Sequence, residues 1–192
     1  MKFSMEKLKE AILLIIETMG EKTSKVKLVK TLFYCDFTAY EKRHNPITGD
    51  RYVHYRYGPV PSHFENALRQ LQKEGALVVF PNQSGRWRFE ITRKSNYRIF
   101  DEYEIELLRT TARKFKRFSA KKLSDWSHLF IGWEITEENE YINYELLDMK
   151  NFNDEEKPEQ FEPIDENERK LFESDEFKKI VKKAVDFALD KK

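Results

Sequence analysis

Residues 47–62, with the sequence ITGDRYVHYRYGPVPS, constrain the fold most, because they place a rigid turn at each end of a short run. In these turns, glycine permits a positive φ and proline holds φ at about −65°. Between the turns, residues 52–57 predict a short strand that presents Tyr, His and Arg side chains together. The segment is therefore either a packed structural connector or a recognition surface, since Tyr and Arg are enriched at protein-binding hot spots.

Helical patterns flank this segment on both sides. Apolar residues recur at helical spacing, and capping residues or helix breakers mark the ends. A capping-box spacing relates Ser62 to Glu65 at the start of the third pattern. The first three helices are predicted from Ser4 to Gly20, from Ser24 to Asn45-Pro46, and from Ser62 to Gly75.

A β-hairpin follows the third helix. Residues 77–80 and 87–92 read as two short strands around a loop of about five residues. Three helices and a hairpin form a winged-helix-like order. Further helices are predicted over residues 102–118, after Ser119 with Leu123, Trp126 and Phe130, and in a pattern that contains Ile142, Leu146 and Leu147.

The C-terminal part changes composition. Residues 151–168 hold eight carboxylates against Lys157, and residues 177–188 carry an amphipathic stripe. We therefore predict an α+β chain that is mainly α-helical. Its parts are a helical domain over residues 1–150, an acidic linker or docked arm over 151–168, and a C-terminal amphipathic helix over 169–192.

Charge and cysteine content narrow the class of protein. No apolar run approaches the roughly 20 residues of a membrane span, and the N-terminus lacks the pattern of a secretory signal. The lone Cys35 forms no internal disulfide and fits a cytoplasmic protein. It lies beside Asp36 in an apolar pattern, so it is predicted as a small buried side chain. The formal charge of +1 does not indicate a nucleic-acid protein, although residues 113–122 carry six basic side chains and no acidic one.

No motif indicates an enzyme, a metal site or a cofactor. The four histidines lack the one-turn spacing of a helical metal pair, and His54 and His63 could meet only through the turn between them, so separate histidines are expected. The nucleophile-elbow, P-loop and dinucleotide signatures are also missing. Paired carboxylates stay open as acid and base, because such pairs meet in space rather than at fixed spacing. A hydrolase that uses the histidines is accordingly the third-ranked function.

A second aromatic block lies at residues 123–134. Trp126, His128 and Trp133 complete a groove with the tyrosines of residues 52–57, or they form a structural knot in which the indole N–H finds a partner. Both interpretations stay open on the sequence.

DNA binding is the alternative function. In a winged-helix arrangement, the helix that begins at Ser62 would enter the major groove. Glu65 and Glu74 on that helix would repel phosphate, which weighs against this function. The side chains that would face DNA are Arg69, Gln70 and Lys73 from the helix, and Arg86, Arg88 and Arg93 from the wing.

Three motifs together resemble the SocA-like Panacea domain, a family of phage-associated and toxin–antitoxin proteins. KLVKTLFYCD at residues 27–36 is similar to the family's K-L-x-K-L-L-Y-x-x-D helix, and PITGD, YGPVP and Trp126-Ser127-His128 follow in consistent order. The resemblance extends over roughly residues 5–147. It implies a largely helical domain that neutralises a cognate protein toxin by direct binding, without enzyme activity.

The resemblance also marks particular positions. Several of the family-like positions are expected to maintain the fold rather than to touch the toxin. Those positions are Asp36, Thr48, Asp50, Tyr57, Gly58, Pro59, Pro61 and Trp126. The side chains predicted to contact the partner are Arg51, His54, Tyr55, Arg56, Trp126 and His128.

Overall fold

The first helix, α1 (Met5–Met19), is buried on nearly all sides in the computed structural model, which describes residues 2–20, 23–81 and 87–146. Every side chain from Glu10 to Ile16 is buried. The elements that pack around it are three helices and one strand: α2 (Lys25–Arg43), α3 (Phe64–Lys73), α4 (Glu102–Phe115) and β4 (Trp87–Ile91). The predicted acidic segment over 151–168 and the predicted helix over 169–192 lie outside the described residues.

Serine caps set where three helices begin, as predicted. The hydroxyls of Ser4, Ser24 and Ser119 accept the main-chain N–H three residues later, which satisfies an otherwise unpaired donor of the first turn. Helix α2 (Lys25–Arg43) ends at His44, in the left-handed region at φ 50°, just before Asn45-Pro46.

Helix α3 (Phe64–Lys73) begins without the predicted capping box. Its cap is His63, which makes no side-chain capping bond. The hydroxyl of Ser62 donates instead to the buried carboxylate of Asp50 at 2.7 Å. Burying a carboxylate without hydrogen-bond donors costs more free energy than a helix cap contributes, so the hydroxyl of Ser62 binds Asp50 and does not cap the helix.

A three-stranded antiparallel sheet has the order β2-β1-β5, formed by β1 (Tyr52–Val53), β2 (Val60–Pro61) and β5 (Tyr141–Ile142). The strand predicted over residues 52–57 was too long, since β1 ends at Val53. The chain turns after this residue, and the N–H of Gly58 donates to the Tyr55 carbonyl. The predicted helix containing Ile142 was wrong. Ile142 pairs with Tyr52 in β5, where its side chain is buried, and residues 144–146 form a single 3₁₀ turn; Leu147 lies outside the described residues.

The predicted hairpin is present as β3 (Leu77–Pro81) and β4 (Trp87–Ile91), paired in register from Leu77 with Ile91 to Pro81 with Trp87. Thr92 follows the second strand. A 3₁₀ turn at Tyr97–Ile99 leads to α4.

Helix α4 (Glu102–Phe115) begins with a capping box between Asp101 and Glu104 and ends three residues earlier than predicted. Helix α5 (Ala120–His128) follows, and Phe130 lies beyond it as the cap of the short helix α6 (Ile131–Glu134). Both α4 and α5 pack on α2.

An aromatic cluster lies under the small sheet, beside the main core. Phe37 contacts the ring of Phe130 edge-on at 4.9 Å and stacks with Tyr144 at 4.4 Å. The other buried members are Phe33, Tyr40, Tyr52 and Ile142. The fold is α+β and mainly α-helical, as predicted. None of the helices in the described residues is long and apolar enough to cross a membrane.

Candidate functional site

Residues 47–62 together with His63 form one segment, which we call the 47–63 segment. Asp36 fixes the start of this segment to α2. Its buried carboxylate accepts three hydrogen bonds, from the N–H of Thr48 at 2.8 Å, the hydroxyl of Thr48 at 2.5 Å and the hydroxyl of Tyr52 at 2.8 Å. Burial raises the pKa of Asp36 to about 6, against the lowering effect of these hydrogen bonds. Satisfied in this way, the carboxylate holds the turn against the helix.

Asp50 joins the two ends of the same segment. Its buried carboxylate accepts from the hydroxyl of Ser62 at 2.7 Å and from the main-chain N–H of His63 at 3.0 Å. The ring Nδ1 of His63 is hydrogen-bonded to it at 2.8 Å. The carbonyl of Asp50 accepts from the hydroxyl of Tyr144 at 2.6 Å, so this residue also anchors the chain that follows β5.

The N-terminal residues cover the first turn. Gly49 has φ +68°, and a Cβ there would lie 2.5 Å from the carbonyl oxygen of Lys2. The N–H of Ser4 donates to the Thr48 carbonyl at 2.9 Å, and the ring of Phe3 stacks on His63. Only glycine fits this close approach of two backbones.

The second turn is clamped between α2 and α5. Gly58 has φ +92°, and a Cβ there would collide with Oγ of Ser127 and lie 2.5 Å from Nζ of Lys30. The carbonyl of Tyr57 accepts from the hydroxyl of Ser124 at 2.8 Å. The turn therefore depends on glycine both for its backbone angle and for space.

Lys30 is the most unusual buried side chain of the site. It is 1% exposed, and its Nζ donates to the carbonyl of Pro59 at 3.2 Å. Burial lowers its pKa to about 7, because the charged ammonium loses its hydration.

Two histidines stack on Trp133 beside this turn. The rings of His128 and His54 lie 4.0 and 4.4 Å from the Trp133 ring, nearly parallel to it. The indole N–H donates to the carbonyl of Tyr55 at 3.2 Å. Burial and the nearby charge of Lys30 lower the pKa of His128. The stack joins the second aromatic block to the 47–63 segment and satisfies the indole N–H with a main-chain carbonyl.

Exposed aromatic and aliphatic side chains occur on the chain segments that flank this stack in sequence. The guanidinium of Arg51 lies 4.0 Å from the ring of Tyr141, and that of Arg56 lies 5.6 Å from the ring of Tyr57. The exposed fraction is 66% for Tyr57, 55% for Ile135, 50% for Tyr141 and 43% for Tyr55. We define the aromatic face as Arg51, Tyr55, Arg56, Tyr57, Ile135 and Tyr141.

The structure divides the predicted contact residues into three groups. Arg51, Tyr55 and Arg56 are exposed and belong to the aromatic face, whereas His54 and His128 are half-buried and belong to the stack. Trp126 is half-buried against Phe118, with ring centroids 4.9 Å apart, and it packs on the main core.

Several important residues were missed from the sequence. Lys30 precedes Phe33 and Phe37 at helical spacing on the apolar stripe of α2, and a lysine in that register signals burial. Trp133 was named only as part of a block, and no local pattern indicated that His63 would bind Asp50.

The described residues contain no group of three or more His, Cys, Asp or Glu placed to hold a metal ion. His54 and His63 do not meet, because the first stacks on Trp133 and the second binds Asp50. Cys35 is buried, as predicted, and burial raises the pKa of its thiol far above the usual range.

The arrangement expected for DNA binding is also changed. Arg93 does not line a wing, because its guanidinium binds the carboxylate of Glu10 at 2.5 and 3.0 Å. Lys25 pairs with Glu65 at the start of α3. Arg88 is exposed on β4, and Arg86 lies outside the described residues.

Comparison with known proteins identifies the family. No curated protein and no solved structure matches the chain. A family model described as "Antitoxin SocA-like, Panacea domain" matches residues 28–134, more than half of the chain. The matched region holds α2 from Leu28 onward, both turns of the 47–63 segment and the histidine–tryptophan stack. The chain therefore belongs to the SocA-like antitoxin family with a Panacea domain.

Proposed function

We propose that this protein is an antitoxin that neutralises a cognate protein toxin by binding it directly through the aromatic face. Membership of the family supports an antitoxin-type role. The observation that carries the finer proposal is the exposure of four large side chains, Tyr55, Tyr57, Ile135 and Tyr141. The segments that carry them are joined by the bond from the Trp133 indole to the Tyr55 carbonyl and by the pairing of β1 with β5. Large exposed side chains of this kind, with arginine beside them, are the usual anchors of protein interfaces.

The charge around the face favours a protein partner over a nucleic acid. Arg51 and Arg56 supply positive charge, but residues 134–141, which contribute Ile135 and Tyr141 to the face, also carry four exposed glutamates. Such glutamates would repel a phosphate backbone, whereas mixed charge is common at the polar rim of a protein interface. The four glutamates are Glu134, Glu137, Glu138 and Glu140.

The backing of the face supports tight binding. The carbonyl of Tyr55 is held by Trp133 and that of Tyr57 by Ser124. A main chain fixed before binding loses little conformational entropy when the partner docks. The mechanism is therefore occlusion of the toxin by a preformed surface, without catalysis, in the cytoplasm.

Co-expression with the adjacent reading frame tests this function. We expect that frame to stop growth alone and this protein to restore it. The double variant Tyr55→Ala/Arg56→Ala should lose rescue and weaken binding of the purified toxin by about 30-fold or more, the equivalent of about 2 kcal/mol. Tyr97→Ala, which removes an exposed aromatic on another element, is the matched control and should keep both.

Three results would contradict the proposal. Growth arrest that this protein does not relieve removes the antitoxin role. Unchanged toxin affinity in a folded Tyr55→Ala/Arg56→Ala variant removes the aromatic face from the interface. Salt-sensitive binding to operator DNA that depends on Arg88, without toxin binding, would favour the DNA-binding alternative.

A further inference from the structure

A strongly basic surface joins the end of α4 to the start of α5, and no part of the proposed function uses it. Arg113, Lys116 and Arg117 line a cleft of about 360 Å³ together with Thr18 from the end of α1. We define the basic face as Arg113, Lys114, Lys116, Arg117, Lys121 and Lys122. No acidic residue occurs between positions 113 and 122.

Three of these six cations have no ion pair and no ring contact within the described residues. Arg113 and Lys114 lie in the last turn of α4, where the helix dipole favours a cation. Lys121 pairs with Asp125, and Lys122 lies over the rings of Phe118 and Trp126. By contrast, Arg113, Lys116 and Arg117 form no ion pair with any described residue. Three cations around one cleft indicate an anionic partner.

The chain itself carries a strongly acidic segment that could pair with these cations. Residues 1–150 contain 26 basic and 21 acidic side chains, whereas residues 151–168 contain eight carboxylates and one lysine. We propose that residues 151–168 of this chain bind the basic face of the same molecule. Their carboxylates pair with the cations of the cleft in the way that surface charges of opposite sign attract at short range.

The connection is long enough for this contact. The side chain of Leu146 lies 3.2 Å from the position that a Cβ on Gly132 would occupy, so the described chain ends near α6. Helix α5 separates that point from the basic face, and nine helical residues span about 13 Å. Residues 147–150 reach about 13 Å when extended, and the eighteen residues of the acidic segment add up to about 60 Å, so its carboxylates can reach the face.

Intramolecular binding of this kind needs little intrinsic affinity. A short connection holds the acidic segment at an effective concentration in the millimolar range. The individual ion pairs are exposed and weak, so the contact depends on ionic strength. It would keep the basic face from attracting nucleic acid in the free protein.

Carbodiimide cross-linking of the full-length monomer tests the proposal. At low salt we expect amide cross-links between residues 151–168 and the lysines at 114, 116, 121 and 122, mapped by mass spectrometry. The yield should fall about tenfold at 1 M salt, where the Debye length is about 3 Å. Lys116→Glu/Arg117→Glu should lower it similarly, whereas Lys94→Glu/Arg98→Glu, with the same charge change at exposed positions, should not.

A second measurement keeps the outcomes distinct. When all eight carboxylates are changed to amides, a labelled single-stranded oligonucleotide should bind about tenfold more tightly than it binds the wild type. Equal oligonucleotide affinity in the two proteins would overturn the proposal, because the basic face would then be accessible to polyanions even when residues 151–168 keep their charge. Cross-links only between isotopically different copies would overturn it in favour of self-association, and the absence of cross-links to the basic face would overturn it outright.

Discussion

Replacing Lys30 with methionine should stabilise the protein at neutral pH, and this stabilisation should disappear or reverse at alkaline pH. Methionine has a similar length but no charge to desolvate. In the wild type, the pKa of Lys30 falls from 10.5 when exposed to about 7 when buried. The unfolded chain therefore binds more protons than the folded one between these values, and wild-type stability rises with pH across that window.

The size of the effect follows from this shift. At about 1.36 kcal/mol per pKa unit, burying the lysine costs the wild type about 4 kcal/mol at pH 7 and about 1 kcal/mol at pH 10. The Lys30→Met variant avoids this cost but leaves the Pro59 carbonyl without its donor, at about 1–3 kcal/mol. We expect the variant to be more stable by about 1–3 kcal/mol at pH 7, and equal to the wild type or less stable by up to about 2 kcal/mol at pH 10.

Urea unfolding of both proteins between pH 7 and pH 10, at constant ionic strength, measures this difference. Other groups that titrate in alkali, including Tyr52 and Tyr144, are present in both proteins and cancel in the comparison. Lys94→Met, at an exposed position, controls for the substitution itself. A stability difference that stays constant over this range would refute the assignment of Lys30 as a buried, weakly basic amine.

Three further predictions concern the 47–63 segment. Gly58→Ala should lower the free energy of unfolding by about 3 kcal/mol or more, because it combines backbone strain with a collision. Gly75→Ala, with φ +67° and open space, should cost only about 1 kcal/mol in the same urea titration. From pH 4 to pH 7, the free energy of unfolding of the wild type should fall by up to about 3 kcal/mol relative to that of Asp36→Asn, as measured by thermal unfolding. Burial raises the pKa of the Asp36 carboxyl to about 6, so the folded state keeps this proton in a pH range in which the unfolded chain loses it. Thr48→Val should cost about 1–3 kcal/mol by chemical denaturation, since its hydroxyl donates to Asp36 and accepts from a main-chain N–H. Thr110→Val, at a half-buried position whose hydroxyl donates only to carbonyls of its own helix, should cost less.

Local signals were enough to predict most of the helices. Ser4, Ser24 and Ser119 begin their helices because each cap is satisfied within one turn of chain. The hairpin was predictable for the same reason, since its partners are neighbours in sequence. Features that depend on distant partners were not predictable.

Ser62 and Ile142 illustrate that limit. Ser62 has a capping-box neighbour, but the buried carboxylate of Asp50 takes its hydroxyl. Ile142 occurs at helical spacing, but Tyr52, ninety residues earlier, pairs with it in the sheet. The exposed part of the candidate site was predictable from Arg51, Tyr55 and Arg56, whereas its support by Lys30 and Trp133 required the three-dimensional arrangement.

The sheet order β2-β1-β5 has a consequence for dividing the protein into fragments. The family match covers residues 28–134, but β5 lies beyond it and α1, which fills the core, precedes it. A fragment cut at the limits of the match would expose the apolar contacts of α1 and leave β1 with an open edge. The unit that folds is therefore larger than the unit that sequence comparison recognises, and exchanges of binding surface between relatives should carry both flanks.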